Sequence, residues 1–166
     1  VSKWLARHGI KNSYFYDSDE DRSRIKTELI AEPFWVQVQN QYTPNEQLYF
    51  IAQYCEHVIQ MEKVTGVDYS EKMQIMHLIR SEILMDRILE RQKRAHAEEQ
   101  KIYIDIAKLD PKTDAMEIKA LRARADSCVH EFSSYSREGK DLQDRINALR
   151  KELKMTREQR IKDYQD

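Results

Sequence analysis

An all-α fold is predicted, with short amino-terminal helices packed on a long antiparallel coiled-coil helical hairpin. Three observations carry that expectation. Gly and Pro are scarce, 3 of each in 166 residues, which leaves few turns for a multi-strand sheet. Charged residues make up 34% of the chain and hydrophobic residues 40%, a balance suited to helices with solvated outer faces. Apolar residues recur every seven positions through the second half, with a second apolar set between them. Three segments follow from the pattern: 1–42, an N-terminal helical and linker segment; 43–69, a helix and its turn; and 70–166, the hairpin, with its tip near 110–113.

Val1 in place of Met points to a trimmed or upstream start. Tyr14-Phe15-Tyr16 stands ahead of the acidic run Asp17-Ser18-Asp19-Glu20-Asp21. Ser18 with Asp21 is a helix start, carrying acids where the helix N-terminus is positive. That helix should run through Ile25, Leu29 and Ile30 and stop before Pro33. Phe34 to Gln39 alternates weakly, with Val36 and Val38 against Gln37 and Gln39. It is expected to be an extended linker or docking peptide, since a lone strand has no partner here.

Thr43-Pro44-Asn45-Glu46 is the clearest local signal. Thr43 can cap, Pro44 suits the first turn, and Glu46 can reach back to the cap amide. Leu48, Ile51, Ala52, Cys55, Val58 and Ile59 then repeat at helical spacing, and Gly66 should close the helix. Asp68 and Glu71 form a second capping pair. Two helices joined by Thr65-Gly66-Val67-Asp68-Tyr69 make an αα corner; the same outline fits a DNA-binding helix-turn-helix.

Downstream, Ile118, Ala125, Phe132, Gly139, Ile146 and Leu153 lie seven apart, with Leu121, Cys128, Tyr135, Leu142 and Leu149 filling the complementary positions. An upstream seam runs Ser81, Ile88, Ala95, Ile102 and Leu109, with Leu78, Met85, Gln92, Glu99 and Ile106 between them. Pro111 separates the two. Folding there pairs Ile106 with Ile118, Ile102 with Leu121, Ala95 with Cys128, Met85 with Gly139, and Leu78 with Ile146. Ile88, Ile102, Ile106, Ile118, Leu121, Phe132, Leu142, Ile146 and Leu149 are thus the expected hairpin and assembly contacts. Lys101 to Ile106 also alternates like a strand, but the heptad register passes through it unbroken. Leu84, Leu89, Tyr103, Ile104 and Met116 lie off the seam. They are expected against the amino-terminal helices or a second copy, which makes the chain a homo-oligomer.

Chemistry is sparse. Cys55 and Cys128 are read as free thiols of a reducing, cytoplasmic compartment. The longest apolar runs, such as Ile83-Leu84-Met85, are too short for a bilayer, so no membrane is expected. None of His57, His77, His96 and His130 follows a Glu by three positions, and no paired-cysteine spacing exists, so no metal is assigned. Gly9, Gly66 and Gly139 are each isolated, which rules out a phosphate-cradling loop. No catalytic residue and no cofactor are assigned, and the chain is not expected to be an enzyme.

Charge is the remaining signal. The formal net charge is −1, so any contact with nucleic acid must come from a local patch. Such a patch is Arg150, Lys151, Lys154, Arg157, Arg160 and Lys162, with Arg145 before it, against Glu152 and Glu158. Arg150, Lys154, Arg157 and Lys162 largely share one helix face and could track a phosphate backbone. The plainer reading is solubilising surface near a helix C-terminus.

Two stretches resemble the small terminase subunits of tailed phages, which recognise viral DNA for packaging. Tyr42-Thr43-Pro44-Asn45-Glu46-Gln47-Leu48-Tyr49-Phe50-Ile51-Ala52-Gln53-Tyr54 is similar to their Leu-Thr-Pro opening followed by Phe and Glu-Tyr. Glu152-Leu153-Lys154-Met155-Thr156-Arg157-Glu158-Gln159-Arg160 is similar to their closing Leu-Gly-Leu-Thr-Pro…Arg, with Arg157 where that family carries Pro. Val58-Ile59-Gln60-Met61 stands in place of the Ala-Thr-x-Ala-Ala step. The resemblance implies a ring-forming subunit that meets double-stranded DNA and a large motor subunit, in the host cytoplasm. Two other classes stay open: a coiled-coil structural or adaptor protein with a protein partner, and an enzyme whose site forms between subunits.

Overall fold

The computed structural model describes residues 19–165, so the readings made for Val1 to Asn12, for Tyr14-Phe15-Tyr16 and for Ser18 lie outside the described residues. Five α-helices occur among the described residues: α1 Asp19–Ala31, α2 Phe34–Gln41, α3 Pro44–Glu62, α4 Tyr69–Ile106 and α5 Ala115–Gln165. The fold is all-α. The chain divides into two compact units, one of residues 1–80 with 149–166, the other of 81–148. Both long helices contribute a stretch to each.

In the first unit, α1 buries Ile25 and Leu29, one turn apart, and leaves Ile30 exposed. It ends at Ala31, before Pro33. The next segment corrects the sequence reading: Phe34 to Gln39 is helical, not extended. Trp35 and Val38 are buried in α2 and Tyr42 just after it, at helical spacing, while Val36 is 59% exposed. The apparent alternation was a coincidence of two valines; the bulky residues follow the helical period. Three rings gather on Phe50, with Phe34 and Trp35 centroids at 5.9 Å and Tyr42 at 6.4 Å. Arg80 lies over Phe34, 5.4 Å from its centroid.

Thr43 and Glu46 cap α3 reciprocally. The Thr43 amide donates to Glu46 Oε2 at 2.9 Å, and the Glu46 amide donates to Thr43 Oγ1 at 3.3 Å. Cys55, Val58 and Ile59 are buried as expected, but Tyr49, Phe50 and Tyr54 are buried too, and Leu48 is 41% exposed. Phe50 takes the inner face, where it completes the ring cluster with Phe34, Trp35 and Tyr42. Gly66 does not close α3: the helix stops at Glu62, and Val64 and Thr65 amides donate back to the Met61 carbonyl at 3.0 and 3.2 Å.

In the second unit, burial follows both heptad seams. Ser81, Ala95, Ile102, Ile118, Ala125, Cys128 and Ile146 are buried; Ile88, Met85, Gln92, Ile106, Leu121 and Leu142 are half-buried. Lys101 to Ile106 is helical throughout. Ile102, Ala125 and Cys128 form one cluster with Ile106 and Leu121 against it, so Cys128 groups with Ile102 rather than with Ala95. Gln92 Nε2 donates to Ser136 Oγ at 2.6 Å, the His96 and Phe132 rings lie 6.1 Å apart, and Arg124 bonds to Glu98. Phe132, one of the expected contacts, is the outlier at 38% exposed.

Between the long helices, the Asp110 amide donates to Asp114 Oδ2 and the Asp114 amide to the Asp110 carbonyl, both at 2.9 Å. Asp114, just before Ala115, closes the turn. Leu84, Leu89, Tyr103, Ile104 and Met116 are all exposed, between 44% and 86%.

Candidate functional site

The carboxy-terminal cations divide into two groups with different fates. Asp68 and Glu71 form the capping box at the start of α4: the Glu71 amide donates to Asp68 Oδ1 at 2.8 Å and the Asp68 amide to Glu71 Oε2 at 3.1 Å. Glu71 is wholly buried. Its carboxylate also accepts two hydrogen bonds from Arg157 Nη1, each of 3.3 Å, and one from Arg160. Arg160 is further paired with Asp68 at 3.4 Å. Two guanidinium groups thus meet two carboxylates, and the cluster is neutral.

Arg157 does a second job. Its guanidinium donates to the carbonyls of Gly66 at 3.1 Å, Thr65 at 2.7 Å and Met61, all at or just past the end of α3. Helix ends leave carbonyls without partners, and a planar fork of donors is suited to collect several of them. Gly66, expected as a helix stop, serves as an acceptor for both arginines.

The expected DNA-contacting face is therefore split. Arg157 and Arg160 point into the protein because a buried carboxylate and three carbonyls need them there. Arg150, Lys151, Lys154 and Lys162 are exposed. The Lys154 side chain is 77% exposed and lies 3.8 Å from Glu158; an exposed pair of this kind contributes less than about 1 kcal/mol.

Beside the ion cluster, in the same unit, lies an open groove of about 320 Å³. Met61, Leu78 and Leu153 give it an apolar floor, and His57, Arg150 and Lys154 stand around it.

Other chemistry is scant. Burial raises the thiol pKa of both Cys55 and Cys128, the opposite of an activated nucleophile. Both are free and buried. Among the described residues, no group of three or more His, Cys, Asp and Glu is arranged to hold a metal ion. No described helix is long and apolar enough to cross a membrane.

Sequence reasoning missed the Glu71 cluster, although a signal was present. Glu71 lies one heptad before Leu78, and Arg160 one heptad after Leu153, so both seams simply continue with charged residues. The chain matches no protein-family model, no curated protein and no solved structure.

Proposed function

We propose that this chain is a non-catalytic, self-assembling DNA-packaging subunit of the small-terminase kind. One observation carries the reading. The two stretches that bear the resemblance, 42–54 and 152–160, lie more than ninety residues apart yet belong to one unit. Arg157 and Arg160 of the second close the turn after the helix that the first begins.

In this reading α4 and α5 are the arms of an antiparallel coiled coil, supported by the order of their contacts from Ile102 with Ala125 to Ile88 with Gly139. The exposed Leu84, Leu89, Tyr103, Ile104 and Met116 are the surface through which copies associate, or which a large motor subunit covers. Duplex DNA is met by Arg150, Lys151, Lys154 and Lys162, without Arg157 and Arg160.

The inward turn of those two arginines favours a second reading. Four exposed cations are a modest patch, and a coiled-coil adaptor with a protein partner needs none. Duplex DNA binding measured across salt separates the two. Each phosphate neutralised adds roughly −0.9 to the slope of log affinity against log salt. Replacing Lys151, Lys154 and Lys162 by Gln should flatten that slope by about 2–3. Oligomer mass should stay unchanged. Absence of salt-sensitive binding by the unaltered protein removes the packaging reading and leaves the adaptor.

A further inference from the structure

A heptad seam does not by itself fix how two helices align. Sliding one of them by seven residues brings apolar positions back onto apolar positions. At Ile88, Gly139 would give way to Phe132 or Ile146. At Ile102, Ala125 would give way to Ile118 or Phe132. At about 1.5 Å per residue, each such slide moves the helix by roughly 10 Å. Something other than the seam must choose among the alignments.

The contacts that do not repeat lie together in the second unit. Gln92 Nε2 donates to Ser136 Oγ at 2.6 Å, Arg91 stands 5.9 Å from the Tyr135 ring centroid, and Arg124 donates to Glu98. All three belong to residues 91–98 of α4, where Gln92 interrupts the apolar seam. Sliding α5 one way puts Glu117 at Glu98, Val129 at Gln92 and Cys128 at Arg91. Sliding it the other way puts Glu131, Gln143 and Leu142 there. Either way an ion pair becomes a like-charge pair and Arg91 loses its ring. One direction also leaves the Gln92 amide against a valine. Arg124 stands between Glu117 and Glu131 in its heptad series, so one of the three alignments satisfies Glu98 and two oppose it.

We propose that Arg91, Gln92 and Glu98, with Tyr135, Ser136 and Arg124, form a register lock that selects one alignment of the two long helices. The ion pair itself adds little stability, because its side chains are 64% and 44% exposed. It acts on the alternatives, which it makes repulsive. Gln92 acts as polar residues at seam positions do in coiled coils, giving up stability for a unique alignment. The lock rests on the antiparallel arms of the proposed function and requires no nucleic acid.

The test moves the cation by one heptad in the full chain. Arg124→Glu with Glu131→Arg lets Glu98 meet a cation only after a seven-residue slide. Lys101 and Lys140, both exposed, are replaced by p-acetylphenylalanine and spin-labelled there, which leaves the buried Cys55 and Cys128 untouched. Labelled protein is diluted with unlabelled protein, so that pulsed dipolar spectroscopy reads distances within one chain. The otherwise unaltered chain should give one narrow distance. In the double variant a second, shorter distance should take at least half of the population, with helicity by circular dichroism unchanged. A second variant, Glu98→Arg with Arg124→Glu, restores opposite charges but lets the new cation meet a glutamate in all three alignments. It should broaden the distribution, whereas a merely stabilising ion pair would be restored with the distance unchanged. An unchanged distance in either variant overturns the lock and leaves the hairpin standing. Without one narrow distance in the otherwise unaltered chain, the antiparallel hairpin falls and the lock with it.

Discussion

The two units solve the problem of stability in different ways. In the first, three short helices and the ends of two long ones enclose Phe50, Ile25, Leu29, Ile75 and Ile79, each at 0–1% exposure. In the second, stretches of two helices bury a single stripe centred on Ile102, Ala125 and Cys128. Leu89, Ile104 and Met116, at 52%, 59% and 86% exposure, stay outside it. The difference is geometric. Two helices can cover only the faces they turn to each other, whereas several helices can surround a side chain. The first unit is therefore where substitutions should cost most.

The sharpest test of that contrast is Glu71. Among the described residues it is the one buried acid of the first unit, and it holds two arginines together with its own helix start. A buried ion cluster adds little net stability over an apolar replacement, but removing one partner leaves charge stranded. Glu71→Ala should lower the unfolding free energy by about 3–5 kcal/mol for the stranded arginines. Loss of the cap adds roughly 1 kcal/mol more. Glu71→Gln keeps acceptors for the Asp68 amide and should fall between wild type and Ala. Urea unfolding of the three proteins gives the order, and a cost below 1 kcal/mol for Ala would mean water reaches the cluster.

A matched pair of phenylalanines makes the comparison direct. Phe50 is fully buried among three rings in the first unit, and Phe132 is 38% exposed in the second. Phe50→Ala should cost about 3–5 kcal/mol, the usual range for deleting a core aromatic. Phe132→Ala should cost less than about 1 kcal/mol, close to the range of surface changes. The same two proteins test assembly: Phe132→Ala should weaken association of copies if that exposed ring belongs to the interface, and Phe50→Ala should not act there except through folding. Equal destabilisation by both would erase the distinction between the units.

What the sequence revealed follows the range of its interactions. Both capping boxes were legible, because Thr43 with Glu46 and Asp68 with Glu71 are three residues apart and need no tertiary context. The two seams were legible as well, since a heptad repeat reports burial directly. The segment from Phe34 was misread because two alternating valines obscured the spacing of Trp35, Val38 and Tyr42. The split of the basic patch was not read, because Arg157 and Glu71 stand 86 residues apart and a run of charges gives each member the same look of solvent exposure. Only the continuation of the seams into Glu71 and Arg160 pointed to it. The groove was invisible for the same reason: its floor combines Met61 and Leu78 with Leu153, from three helices.

The smallest expected effect is also the one confined most cleanly to the second unit. Gly139 lies in the interior of α5, at a seam position between Phe132 and Ile146. A glycine in a helix interior costs about 0.8–1.0 kcal/mol relative to alanine, through the greater freedom it loses on folding. A methyl group there would stand 3.5 Å from Ile88 Cγ2 and 4.0 Å from Met85 Sδ, ordinary contact distances with room to spare. Gly139→Ala should therefore stabilise the protein, by about 1 kcal/mol, with a small gain from the new contact. Differential scanning calorimetry can locate the gain. If the two units melt separately, the transition of the second should move up and that of the first should stay in place. Gly139→Leu should reverse the sign, because a larger side chain must displace Ile88 and Met85 from a seam already filled there. A destabilising Gly139→Ala would instead mean that the two helices approach more closely at this layer than the contacts of Ile88 and Met85 indicate.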